Sequence, residues 1–291
     1  MSETKTLDQL LAAPGLIVAP GAYDALSAKL AMQAGAQAVY MTGFGVAGST
    51  LGLPDIGLMS ASEMVARVAA LAEASSPVPL FADGDNGHGG PLNAARLTRA
   101  YERAGAACIQ IEDQVFPKRC GHMEGKEVVE TAEAVARIRA CVEARESPAF
   151  KVMARTDARA THDLDEALRR GEAFLEAGAD LLFIEAPQSE AEMTTVCETF
   201  KGVALVANMV EDGKTPYLPA RDLEALGFKL AIYPVSALLS VTARLQSVYA
   251  TLLKGEGLPA GEDRVTFQRY NELIGLPEML AEATKIVKNA E

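Results

Sequence analysis

A chain of 291 residues is too long for a minimal module and fits either two small domains or one α/β barrel, which can run past roughly 250 residues as a single unit. Hydrophobic residues make up 49% and charged ones 23%, and no Ser/Gly- or Pro-rich linker interrupts the pattern, so one domain with a large continuous core is expected. The net charge of −12 argues against nucleic-acid and anionic-membrane partners. The first residues lack a signal-peptide layout and no apolar run approaches the roughly 18 residues that span a bilayer, which predicts a cytoplasmic protein.

Short apolar runs alternate with amphipathic stretches along the chain, the sign of βα units around a parallel sheet. The predicted strands are Leu16–Pro20, Ala38–Thr42, Val78–Ala82, Ala107–Ile111, Phe150–Ala154, Leu181–Glu185, Val203–Ala207 and Lys229–Tyr233. Apolar residues three and four apart predict helices over Ser60–Ala74, Asn93–Ala104, Ala132–Ala144, Leu164–Ala177, Glu190–Phe200 and Ala237–Leu253. A weak repeat, Ala34-Gly35-Ala36, Ala104-Gly105-Ala106 and Ala177-Gly178-Ala179, closes a helix with glycine and opens the next strand. Eight alternations predict a (β/α)8 TIM barrel over a single domain, residues 1–291, with a helical C-terminal extension from about 255; a doubly wound open sheet is the alternative.

Chemistry in such a barrel sits at the C-terminal ends of the strands, and those ends are polar almost throughout. Asp83-Gly84-Asp85 places two carboxylates on one side of an extended segment, and with Glu112 forms an all-oxygen set suited to Mg²⁺, with Mn²⁺ as a substitute, rather than zinc. The competing reading is a solvated acidic turn. Thr42-Gly43-Phe44-Gly45 is either a plain turn or a row of backbone amides aimed at an oxyanion. Arg155 brings a guanidinium to the barrel mouth, for a bidentate grip on a carboxylate or for an ion pair with Glu185 or Glu112. His88 and His122 are acid/base candidates, though lone histidines more often serve as scaffold, and His162 reads as surface or capping.

Four cysteines, at positions 108, 120, 141 and 197, show no C-x-x-C pair, so neither a zinc knuckle nor a disulfide framework is suggested. Three fall in strand or helix and read as small core hydrophobes. Cys120 lies between elements in Lys118-Arg119-Cys120-Gly121-His122-Met123, among basic side chains that lower a thiol pKa and equip it for nucleophilic or proton-transfer work.

That segment, following Ile111-Glu112-Asp113 and the D-x-D loop, resembles the signature of the isocitrate lyase/phosphoenolpyruvate mutase superfamily, in its carbon–carbon lyase branch. The resemblance extends through Gly21-Ala22-Tyr23-Asp24-Ala25, Tyr40-Met41-Thr42-Gly43, Leu53-Pro54-Asp55, Ala154-Arg155-Thr156-Asp157, Ile184-Glu185-Ala186-Pro187 and Ala207-Asn208-Met209, covering about residues 10 to 250. It implies Mg²⁺ held through Asp83 and Asp85, with Asp55 and Glu112 nearby, largely through water. It implies Cys120 as the catalytic acid/base, with Glu112, Arg155 and His122 in the catalytic set. Tyr40, Thr42, Gly43, Phe44, Asp55, Lys118, Gly121, Glu185 and Asn208 are the implied substrate-binding residues. It also implies an eighth helix exchanged between subunits of a homo-oligomer, a dimer or a tetramer built as a dimer of dimers.

Cleaving the C2–C3 bond of a 2-hydroxy dicarboxylate requires the hydroxyl to lose its proton, the emerging keto acid to be chelated and the C3 carbanion to be protonated. Relatives acting on 2-methylisocitrate hold a third carboxylate with extra arginines, where this chain has Leu239 and Tyr270. Burying that carboxylate unpaired would cost several kcal/mol, so the expected substrate is of the 2,3-dimethylmalate type, giving pyruvate and propionate. The alternatives are 2-methylisocitrate lyase, giving pyruvate and succinate, oxaloacetate acetylhydrolase, and a binding protein with a dead site.

Overall fold

The computed structural model describes residues 5–121, 125–258 and 264–289. Eight strands, β1 (Ile17–Ala22), β2 (Val39–Met41), β3 (Leu80–Asp83), β4 (Cys108–Glu112), β5 (Lys151–Thr156), β6 (Leu181–Ile184), β7 (Ala204–Asn208) and β8 (Leu230–Tyr233), close into a barrel in sequence order. Every pairing is parallel, and β1 closes on β8 with Pro20 opposite Tyr233. The expected TIM barrel is present, each predicted strand matching an observed one to within a few residues.

Side-chain parity explains how this barrel builds a site. Successive residues of a strand face opposite sides, and two cores follow from that. Phe81, Cys108, Met153, Leu181, Phe183, Val206, Leu230 and Ile232 fill the barrel interior, joined by Leu7 and Leu10 of the helix Leu7–Ala12. Ile109, Ile111, Val152, Ala154, Leu182 and Leu205 face outward to the helices. Continuing the interior parity by two residues leads from Tyr40 to Thr42, from Phe81 to Asp83, from Gln110 to Glu112, from Met153 to Arg155, from Phe183 to Glu185 and from Val206 to Asn208. The rows that pack the barrel therefore end in its polar side chains.

The three repeated glycines take the left-handed conformation expected of them, with φ of 94°, 96° and 98° at Gly35, Gly105 and Gly178. Several short helices have no periodic signal: Leu7–Ala12, Ala25–Gln33, Gly43–Leu51, Ala158–Thr161 and Ala220–Leu226. The first three are started by caps. Thr6, Asp24 and Thr42 each accept from the amide three residues on.

By its contacts the chain divides into Met1–Leu238 and Leu239–Glu291. The second unit contains most of the helix Ser236–Leu253, then Phe267–Leu273 and Leu276–Lys288, and none of these three helices has a buried residue. Leu239, Val241, Leu245, Tyr249, Leu252, Phe267, Leu280, Ile286 and Val287 are exposed. Among the described residues no helix is long and apolar enough to cross a membrane.

Candidate active site

The acidic loop at the end of β3 turns sharply, with positive φ at Asp85, Gly87, His88 and Gly89. The Asp83 carboxylate accepts from three donors, Gly43 N at 3.2 Å, Asp85 N at 3.1 Å and Gln110 Nε2 at 3.1 Å. Tyr101 Oη donates to the Asp83 carbonyl at 2.8 Å. Burial, and then the neighbouring Asp85, raise the Asp83 pKa to about 6 in spite of Lys118.

Lys118 lies in a pocket of carboxylates, its Nζ 2.7 Å from Asp55 and 2.6 Å from Asp85 Oδ1. Its charge is thus matched across the barrel mouth, which differs from the expected cluster of bases around the thiol. Burial is the first cause raising the pKa of Asp55 and of Glu112. Glu112 Oε1 is buried with no hydrogen-bond partner among the described residues, and Oε2 lies 3.5 Å from Arg155 Nε.

This donor set fits a hard divalent cation. Asp55, Asp83, Asp85 and Glu112 place four carboxylates around the single ammonium of Lys118, and the buried Asp85 Oδ1, beyond its ion pair with Lys118, and Glu112 Oε1 have no hydrogen-bond partner among the described residues. No three His, Cys, Asp or Glu side chains among the described residues converge closely enough to chelate an ion by themselves.

The tight turn at Thr42–Gly45 is the start of the helix Gly43–Leu51. Thr42 N is committed to Ala22 O, Gly43 N to Asp83 and Gly45 N to Thr42 Oγ1. Phe44 N has no acceptor among the described residues, so of the expected amide row it is the one open to a ligand. A Cβ on Gly43 would stand 2.6 Å from Asp83 Oδ2, so glycine is required there.

On the far side, Arg155 donates from Nε to Asp157 Oδ2 at 2.9 Å and from Nη2 to Oδ1 at 3.1 Å. Glu112 and Glu185 lie 3.5 and 3.6 Å away, and the Phe183 ring lies 5.0 Å below the guanidinium. Burial acts to raise the Asp157 pKa, but Arg155 and then Lys126 overcome it and hold the carboxyl below its usual range. Glu185 is fully buried and accepts from Asn208 Nδ2 at 3.2 Å. Tyr40 forms the floor, donating to Gln110 Oε1 at 3.0 Å.

The Cys120 segment is set over this group. Gln114 holds Arg119 at both ends of its backbone, donating to its carbonyl and accepting from its amide, each at 2.9 Å. A Cβ on Gly121 would stand 2.5 Å from Arg155 Nη2 and 2.8 Å from Glu185. Cys120 is half-buried, whereas Cys108, Cys141 and Cys197 are buried as expected of core residues. His122 lies outside the described residues. His88 Nε2 is 3.6 Å from Asp85 Oδ2, and burial lowers its pKa.

Sequence reasoning missed Gln110, Asp157 and Lys126. Asp157 was legible, because it shares the parity of Met153 and Arg155. Gln110 sits among apolar neighbours, and its role depends on which strands are adjacent. Lys126 carries no local signal.

A family model described as phosphoenolpyruvate phosphomutase matches residues 7–253. The chain belongs to that family. A 2,3-dimethylmalate lyase of Eubacterium barkeri is 48% identical over 281 residues, covering 96% of each protein. A 2-methylisocitrate lyase of Bacillus subtilis (strain 168) is 43% identical over 249 residues, 86% of this chain and 81% of that one. The crystallised oxaloacetate acetylhydrolase in complex with 3,3-difluorooxalacetate superposes with a TM-score of 0.92 at 34% identity, covering 97% of this chain and 96% of its own. Membership in the phosphoenolpyruvate mutase family, and in the superfamily it shares with isocitrate lyase, thus rests on nearly the whole chain.

Proposed function

We propose that the protein is a Mg²⁺-dependent carbon–carbon lyase that cleaves the C2–C3 bond of a 2-hydroxy dicarboxylate of the 2,3-dimethylmalate type into pyruvate and propionate. The observation that carries this reading is the seating of Gly121, next to Cys120, against Arg155 and Glu185 in a barrel mouth that also gathers Asp55, Asp83, Asp85 and Glu112. Bound at Asp83 and Asp85, Mg²⁺ would withdraw charge from the keto acid as it forms.

The chain's own residues supply the remainder. Phe44 N binds a carboxylate oxygen of the pyruvate half. Glu112, whose Oε1 has no hydrogen-bond partner among the described residues, takes the 2-hydroxyl proton as the C2–C3 electron pair moves onto C3. Arg155 and Asn208, anchored by Asp157 and Glu185, hold the carboxylate on which that charge is delocalised. The Cys120 thiol delivers its proton to C3, releasing propionate, and is reprotonated from solvent.

Leu239 and Tyr270, both uncharged, favour a dicarboxylate over a tricarboxylate. The exposed apolar faces of the second unit support exchange of the eighth helix with another subunit in a homotetramer, and the absence of a spanning helix among the described residues is consistent with a cytoplasmic enzyme. Lyase assays with 2,3-dimethylmalate, 2-methylisocitrate and oxaloacetate, scoring pyruvate and oxalate, test the assignment. Faster turnover of 2-methylisocitrate, or oxalate release from oxaloacetate as the dominant activity, would replace it. Full activity in Cys120→Ala would remove the proton-donor role.

A further inference from the structure

A buried lysine joins the end of β5 to the backbone beside Cys120. The side chain of Lys126 is 2% exposed, and its ammonium lies 2.7 Å from Asp157 Oδ1. The same ammonium donates to the Gly121 carbonyl. Asp157 also receives both Nε and Nη2 of Arg155, and its own amide is fixed by Asp113 Oδ1 at 2.9 Å. Gly121 follows Cys120 directly and lies against Arg155 and Glu185, with no room for a Cβ.

The burial of this lysine is not explained by the needs of Asp157, because the Arg155 fork already pairs that carboxylate. Taking an ammonium out of water is costly unless its partners are well placed. What Lys126 adds is a link between a carboxylate anchored on the barrel and a carbonyl in the segment that bears the thiol. We infer that Lys126 is a positioning residue, which holds the Cys120–Gly121 backbone at a set height over the Arg155 guanidinium through the Gly121 carbonyl. The inference rests on the proposed role of Cys120 as proton donor.

Full-length wild type, Lys126→Met, Lys126→Gln and Lys126→Arg are compared in three measurements: kcat and KM in the lyase assay, thermal unfolding, and iodoacetamide labelling of each cysteine followed by mass spectrometry. A displacement of about 1 Å at a reacting group costs up to ~100-fold. Lys126→Met is therefore expected to lower kcat by about 10- to 100-fold with KM changed less than about threefold. Labelling of Cys120 should change severalfold while Cys108, Cys141 and Cys197 keep their wild-type rates, and Lys126→Arg, which retains a charged donor, should recover part of both effects.

Wild-type kcat and wild-type Cys120 labelling in folded Lys126→Met overturn the inference, as does a loss of activity in which all four cysteines become reactive together. If Lys126→Met does not fold, Lys126→Gln, neutral but still a donor, is read by the same criteria. The labelling readout does not depend on turnover. Full activity in Cys120→Ala would therefore refute the proton-donor reading by itself, and a Cys120 labelling change in Lys126→Met would still report the positioning.

Discussion

Asp83 carries three N–H donors on its carboxylate and still titrates near pH 6, because burial and Asp85 outweigh them. Its pKa is raised above the unfolded value, so its stabilising contribution is complete below about pH 4 and is lost as pH rises through about 6. At neutral pH the ionised Asp83 is a cost to the metal-free protein that a bound cation would offset. The rise in Tm produced by Mg²⁺ should accordingly be largest above pH 7 and shrink as pH falls below 6, a trend that differential scanning fluorimetry at fixed Mg²⁺ reads directly. Removing the metal with a chelator should abolish turnover and lower Tm at pH 7.5. Arg155 illustrates a different balance, a buried guanidinium whose fork is taken by Asp157 with Glu112 and Glu185 close beside it. Arg155→Lys keeps the charge and loses the fork, and should cost at least about tenfold in kcat/KM together with about 1–3 kcal/mol of stability, measured by steady-state kinetics and urea unfolding. Legibility at this scale varied with side-chain parity: Asp83, Glu112, Arg155, Glu185 and Asn208 follow from strand alternation, whereas Lys126 lies outside any element and owes its place to the path of a connecting segment.

The strand set was readable because each barrel strand is a short apolar run bounded by glycine or polar residues, and burial on both faces leaves little else for such a run to become. The helix Gly43–Leu51 was not readable, since Gly43-Phe44-Gly45 has weak helix propensity and the helix depends on the Thr42 cap and on the fit of Gly43 against Asp83. Glycine at the closing seam shows how element pairing imposes residue identity. A Cβ on Gly21 would stand 2.6 Å from Tyr233 O and 2.7 Å from Pro234 Cα, backbone atoms that cannot move aside. Gly35 has φ of 94° but nothing within 4 Å of a Cβ. Gly21→Ala should therefore destabilise by about 3 kcal/mol or more, and Gly35→Ala by about 1 kcal/mol, a ranking that urea denaturation checks.

At the scale of the whole molecule, the second unit exposes Leu245, Tyr249, Leu252, Leu280 and Ile286, and its helices bury no residue. Apolar surface of that extent is what the proposed homo-oligomer would cover. Sedimentation velocity should show a single species larger than the monomer, and Leu245→Glu with Leu252→Glu should shift it toward smaller species while the barrel's far-ultraviolet circular dichroism is retained.

The sequence by itself determined the eight-stranded barrel, its polar strand ends and the family to which the chain belongs, because periodicity and short motifs are local properties of the chain. Only the tertiary structure showed that Lys118 is matched by Asp55 and Asp85, that Asp83 is held by an amide from another strand's helix, and that Lys126 ties Gly121 to Asp157. Each of those depends on charges and carbonyls brought together from positions up to 63 residues apart, and their energies arise from burial that no local pattern encodes.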